Sequence, residues 1–91
     1  HLAVPLSVRL FFGGLPLSYG DVDVRAELAA CDLTPVEVFI PRDRRTGKSK
    51  GIAFVEMASV DDAARAIGAL NGTSVQGRAI AVRPAEPRRG K

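Results

Sequence analysis

Residues 50–57, Lys50-Gly51-Ile52-Ala53-Phe54-Val55-Glu56-Met57, alternate between small apolar side chains and a set of mixed character. Successive side chains of a strand point to opposite faces. Ala53, Val55 and Met57 are therefore placed to enter a core, while Lys50, Ile52, Phe54 and Glu56 look away from it. Such a segment suits a sheet covered on one side only, and an aromatic ring on the bare side needs a reason. Leu10-Phe11-Phe12-Gly13-Gly14-Leu15 repeats the pattern, with Leu10 and Phe12 on one face and Phe11 on the other. Side by side, the two strands would set Phe11 and Phe54 together on an open surface, where flat rings stack on unpaired nucleobases.

Periodicity and turn chemistry supply the remaining elements. Residues 8–13 make a first strand, stopped by Gly14-Leu15-Pro16. Asp21 is read as the cap of a helix running to about Cys31, with Val24, Leu28 and Cys31 as its inward stripe. Residues 36–41 alternate as the next strand, with Val36, Val38 and Ile40 toward the core and Glu37, Phe39 and Pro41 on the open face. Asp43-Arg44-Arg45-Thr46-Gly47-Lys48 forms a turn-rich basic hairpin loop leading into residues 50–57. Ser59 caps a second helix with Asp62 in a capping-box position, Ala63, Ile67 and Leu70 form its buried stripe, and Asn71-Gly72 ends it. Gly68 within it costs about 1 kcal/mol relative to Ala. A short strand at 73–76, a turn at Gly77 and a final strand at 79–83 follow, the last with Ile80 and Val82 inward and Ala81 and Arg83 outward. Two interleaved crossover units in this order give an α+β, ferredoxin-like βαββαβ sandwich: a four-stranded antiparallel sheet with both helices on one face.

Residues 10–15 and 50–57 resemble the six- and eight-residue ribonucleoprotein motifs of the RNA recognition motif family, in the right order, and the resemblance extends over roughly residues 8–83. It implies that strands one and three are central neighbours, that Phe11 and Phe54 stack on bases, and that Lys50 contacts phosphate. Three positions depart from the family pattern. Ile52 stands where an aromatic is usual and removes one face of the platform; Met57 exchanges one core hydrophobe for another; Gly14 replaces the usual Asn and alters the loop. Phe39 projects onto the same face from the neighbouring strand, either beside Ile52 as a compensating ring or as a shield of the sheet edge. Arg44, Arg45 and Lys48 are candidates to clamp phosphates from the loop, and Arg83 to reach a nucleotide from the last strand.

Charge distribution agrees with that reading. The formal net charge is +3, yet residues 42–50 alone carry five basic residues against Asp43, and residues 83–91 four against Glu86. Everything else is net acidic, with the acids gathered around the two helices. Positive charge concentrated in one loop and one tail is what a passing phosphate backbone requires. Pro84 is read as closing the domain, and residues 84–91 as a flexible basic tail. Residues 1–7 are set apart as a flank; they lack the basic start of a signal peptide, and His1 in place of Met suggests an excised or tagged segment.

Other chemistries find little support. Cys31 is the single cysteine, which excludes an internal disulfide and a zinc site built on paired cysteines, favours a reducing intracellular compartment, and reads as a small buried hydrophobe. That compartment would be the cytoplasm in a bacterium, and the nucleus or cytoplasm in a eukaryote. No apolar run approaches the ~20 residues of a membrane span. A small phosphatase of the same architecture would need an anion loop with a positioned Arg and Asn. Asn71, the only Asn, sits at a helix end, His1 is the only His, and no acid–base pair or nucleophile emerges, so catalytic residues, metal ligands and cofactors are all expected to be absent. The expected partner is single-stranded RNA, with single-stranded DNA bound more weakly, by a monomer. The alternative is a protein-binding domain of the same fold, docking a partner on its sheet or through the acidic helix side bearing Asp21, Asp23, Glu27, Asp61 and Asp62.

Overall fold

Antiparallel pairing of the two alternating segments builds the centre of the sheet. The computed structural model describes residues 8–85; the first seven residues and most of the basic tail lie outside them. The elements run β1 (Arg9–Gly13), α1 (Asp21–Ala29), β2 (Glu37–Phe39), β3 (Ile52–Glu56), α2 (Val60–Leu70), β4 (Ser74–Val75), β5 (Arg78–Ala79) and β6 (Ala81–Pro84). Four strands form one antiparallel sheet in the order β2-β3-β1-β6, and β4 and β5 form a small separate hairpin. α1 packs toward β2 and α2 toward β6. Leu10, Phe12, Ala53, Val55 and Val82 of the sheet share one core with Val24 and Leu28 of α1 and Ala63, Ala66 and Leu70 of α2. All of these core side chains point to one side, leaving the other face of the sheet uncovered among the described residues, as the ferredoxin-like reading expects. Each large one contributes about 1.5–3 kcal/mol by leaving water.

Several local expectations are corrected. The cap of α1 is Gly20 rather than Asp21, and the Gly20 N–H donates to the Asp23 carboxylate at 2.9 Å. α1 ends at Ala29 because Asp32 takes a left-handed φ of 61° and the Leu33 N–H returns to the Leu28 carbonyl at 3.0 Å. Cys31 thus lies beyond the helix, half-buried, with its thiol donating to the Glu27 carbonyl at 3.7 Å. β2 is shorter than residues 36–41 and is an edge strand, so its helix-facing side chains sit at the rim of the core. Val38 and Ile40 are half-buried, and Val36, expected inside, is 61% exposed.

In α2 the Ser59 hydroxyl accepts from the Asp62 N–H at 3.1 Å as anticipated, while Ala66 rather than Ile67 completes the fully buried stripe and Ile67 packs at its edge. Nothing stands within 4 Å of where a Gly68 side chain would begin, which leaves that glycine without a packing reason. The final strand is interrupted. Gln76 and Gly77 both adopt positive φ, 52° and 84°, folding residues 74–79 into a tight hairpin, and Ile80 separates it from β6. Pro84, read as the start of the tail, is the last residue of β6. It pairs opposite Leu10 as the end of an edge strand, where its missing N–H is tolerated, and the Ala85 N–H continues to the Arg9 carbonyl at 2.8 Å.

Candidate nucleic-acid interface

Register across the uncovered face sorts its side chains into three rows. Phe39, Phe54, Phe11 and Arg83 lie opposite one another on β2, β3, β1 and β6; one row toward one end stand Glu37, Glu56 and Arg9, and one row toward the other stand Ile52, Gly13 and Ala81. Phe39 therefore sits across from Phe54 and not beside Ile52, the position expected for a substitute ring. Phe39 is 49% exposed, whereas Phe11 and Phe54 are half-buried.

Phe11 and Phe54 approach to 5.7 Å between centroids at 59°, a tilted aromatic pair. Neither ring is sealed among the helices. Each carries a guanidinium: Arg83 Cζ stands 4.8 Å from the Phe11 centroid and Arg9 Cζ 4.9 Å from that of Phe54. Such contacts at exposed sites are worth about 0.5–1 kcal/mol. The Phe11 ring lies over Gly13, since a Cβ there would meet Phe11 Cε2 at 2.8 Å. Neither Arg9 nor Gly13 is singled out by the sequence pattern: cross-strand register brings Arg9 to the Phe54 ring, while Gly13 meets the Phe11 ring as its same-face neighbour two residues on in β1. The Gly14 departure has a backbone cause: it holds φ +75° with the Ala79 carbonyl 3.1 Å from any Cβ, so a side chain there would strain the turn leaving β1.

The basic loop is ordered by its one acid. Asp43 Oδ1 accepts from the N–H groups of Arg45 at 2.7 Å and Thr46 at 3.1 Å, the Asp43 N–H donates to the Lys48 carbonyl at 2.8 Å, and Arg42 and Ser49 form an isolated bridge below. Those N–H donors, Thr46 first and then Arg45, hold the Asp43 carboxyl below its usual range. With the turn pinned this way, Arg44, Arg45, Lys48 and Lys50 are all exposed, and none forms an ion pair among the described residues. Lys50 lies outside β3. Gly51, at φ +77°, breaks the extended alternation before Ile52, so Lys50 is placed by the loop rather than by the strand.

Phe11, Phe54, Phe39, Ile52 and Arg83 are thus gathered on one face, with the four loop cations at the end where β3 begins. A shallow pocket of about 360 Å³ lies between the aromatic and acidic rows, lined by Arg9, Glu37, Phe39, Phe54 and Glu56. The acids of the helix side are largely engaged locally: Glu27 accepts from the Tyr19 hydroxyl at 2.8 Å, Asp21 pairs with Arg25 at 3.5 Å, and Asp62 with Arg65 at 3.7 Å. The bond to Glu27, with smaller contributions from burial and the nearby carboxylates, pushes the Tyr19 phenol up to about 12. Among the described residues no cluster of His, Cys, Asp or Glu is arranged to hold a metal, and no helix is long and apolar enough to cross a membrane.

Comparison with known proteins agrees with this geometry. Over 84 residues, 91% of its length, the chain is 40% identical to a chloroplastic 33 kDa ribonucleoprotein of Nicotiana sylvestris and spans 26% of that protein. It spans 16% to 52% of the length of the curated relatives it matches. The crystal structure of an RNA-binding protein PG1 superposes with a TM-score of 0.83 at 32% identity, covering 92% of this chain and all of that one. A Sex-lethal protein/RNA complex superposes with a TM-score of 0.81 at 34% identity, covering 91% of this chain and 49% of that one. Residues 10–81 match the RNA recognition motif family model, and the chain belongs to that family.

Proposed function

We propose that the uncovered sheet face binds single-stranded RNA, with bases stacked on Phe11 and Phe54 and phosphates drawn to Arg44, Arg45, Lys48 and Lys50. The observation that carries this reading is the pairing of Phe11 opposite Phe54 on the face away from the core, their rings 5.7 Å apart. A base laid on either ring displaces a guanidinium. The cation–π contact is worth about 0.5–1 kcal/mol at an exposed site and a base–aromatic stack about 1–3, so the exchange favours the base. The released Arg83 and Arg9 remain close enough to the platform to meet the sugar–phosphate chain or the far side of the base. Duplexes fit poorly, because flat rings need unstacked bases. Single-stranded DNA, lacking the 2′-hydroxyl, is the weaker ligand.

Phe39 extends the same row and supplies a third ring where Ile52 does not. Phe39→Ala should then weaken RNA binding in the same direction as Phe54→Ala; unchanged affinity would assign it to shielding the edge. The RNA reading is tested by titrating short RNA pools against the wild type and Phe11→Ala/Phe54→Ala. Loss of both stacks should weaken binding by at least about 30-fold, taking 1 kcal/mol or more for each. Retained affinity in the double variant would refute it. Protein docking through the acidic helix side is the lesser alternative, since most of those carboxylates already serve α1 and α2. The relatives' names are those of ribonucleoproteins and RNA-binding proteins, which supports an intracellular setting.

A further inference from the structure

The geometry points to a base-selective subsite at the acidic end of this platform: the pocket between Phe39, Phe54, Glu37, Glu56 and Arg9 takes a guanine base. The inference rests on the RNA-binding reading and adds to it a ligand preference at one position.

The pocket combines an aromatic floor with a wall of hydrogen-bond acceptors. Its volume of about 360 Å³ is at the small end for ligand sites and leaves room for a nucleobase. Glu37 and Glu56 stand directly opposite each other across β2 and β3, both exposed. Like charges in that position destabilise a sheet, and the one cation in the row is Arg9, opposite Glu56 on β1, so two carboxylates stand against a single guanidinium. A ligand that brings N–H donors to this row relieves the repulsion.

Separation of charge along the face decides which part of a nucleotide enters. The loop cations precede Ile52, and Glu56 ends β3. Four residues of strand rise put the two ends about 13 Å apart. That exceeds the Debye length of about 8 Å at physiological salt, so the acidic end is not neutralised by the basic one. Phosphates are drawn to the loop and repelled from the Glu37–Glu56 row. A nucleotide at that row therefore enters base first.

Among bases, guanine fits best. An ionised carboxylate only accepts hydrogen bonds. Guanine presents N1–H and an N2 amino proton side by side, two parallel donors matched to the two oxygens of one carboxylate. Adenine and cytosine set a single amino group beside a ring nitrogen acceptor, and uracil sets one N–H between two carbonyls; each turns at least one lone pair toward a carboxylate.

The test uses pentanucleotides UUGUU, UUIUU (inosine, which lacks the N2 amino group) and UUUUU, titrated against the full chain and against Glu37→Gln/Glu56→Gln. Both substituted side chains are exposed, so the fold is retained. The wild type should bind UUGUU roughly 10- to 100-fold more tightly than UUUUU, with inosine between, and the double variant should bring the guanine and uridine oligomers within about threefold of each other. Uridine affinity itself should hold or rise in the variant, since two repelling charges are gone. A wild type that binds UUUUU as tightly as UUGUU, or a variant that keeps the guanine preference, overturns the subsite while leaving the platform standing. Failure of every oligomer to bind the wild type overturns both.

Discussion

Gly13→Ala separates the stability of the sheet from the orientation of its binding ring. The added Cβ would stand 2.8 Å from Phe11 Cε2, against an ordinary contact of 3.4 Å or more, so the ring edge must retreat by at least 0.6 Å. The strand itself gains about 0.5–1 kcal/mol from the lost conformational freedom of glycine. Against this stand about 0.5–1.5 kcal/mol for an off-minimum Phe11 rotamer and part of the pair energy with Phe54, itself about 0.5–1.5. The two sides nearly cancel, and thermal or urea unfolding should place the variant within about 1 kcal/mol of wild type. RNA binding should not be spared. Losing about 1 kcal/mol of the Phe11 stack weakens affinity about fivefold, readable by fluorescence anisotropy with a labelled oligouridine. In the Phe11→Ala background the same substitution should have no further effect on binding. A Gly13→Ala protein that unfolds more easily by several kcal/mol, or one that weakens RNA binding equally with and without Phe11, would refute the claim that this glycine acts through the ring.

Three to five phosphate contacts from the loop and Arg83 predict a log–log salt dependence of affinity with slope roughly −2 to −3.5, at about −0.7 per phosphate on a single strand, and Arg44→Ala/Arg45→Ala should flatten it; a salt-independent affinity contradicts the assignment. Tyr19 titrates near 12 when folded and near 10 when unfolded, so the stability it lends through Glu27 is complete below pH 10 and is lost as pH rises from 10 through 12. Tyr19→Phe should remove that alkaline dependence of the unfolding midpoint, and an unchanged curve would count against the hydrogen bond. Asp32→Gly should stabilise the domain by about 0.5–1 kcal/mol, because Asp32 holds φ 61° at the end of α1; denaturant unfolding reads the gain.

Much of the fold could be read before the structure because the two central strands carry unambiguous alternation. Leu10, Phe12, Ala53 and Val55 are all fully buried and Phe11 and Phe54 are not. Where burial is partial the pattern misleads. Val36 is in phase with Val38, yet an edge strand leaves it in water. The interruption of the last strand was hidden for a different reason: Gln76 adopts positive φ in a turn that sequence alone associates with Asn, Asp or Gly. The phenylalanine pair was legible because it lies within two recognisable motifs. The pairings across the site were not, because alternation tells which face a side chain takes, as it did for Phe39, Ile52 and Arg83, and not which residue stands opposite. Arg9 over Phe54, Phe39 across from Phe54, and Glu37 across from Glu56 all depend on cross-strand register.

The most direct measurement of the central claim follows backbone amide shifts while a short uridine-rich, guanine-containing RNA is titrated into the labelled protein. Perturbations should concentrate in β1, β3 and β6, with β2 and the 42–50 loop, while the outer residues of α1 and α2 stay fixed. Shifts confined to the helices, or none on β1 and β3 at saturation, would contradict an RNA platform built on Phe11 and Phe54.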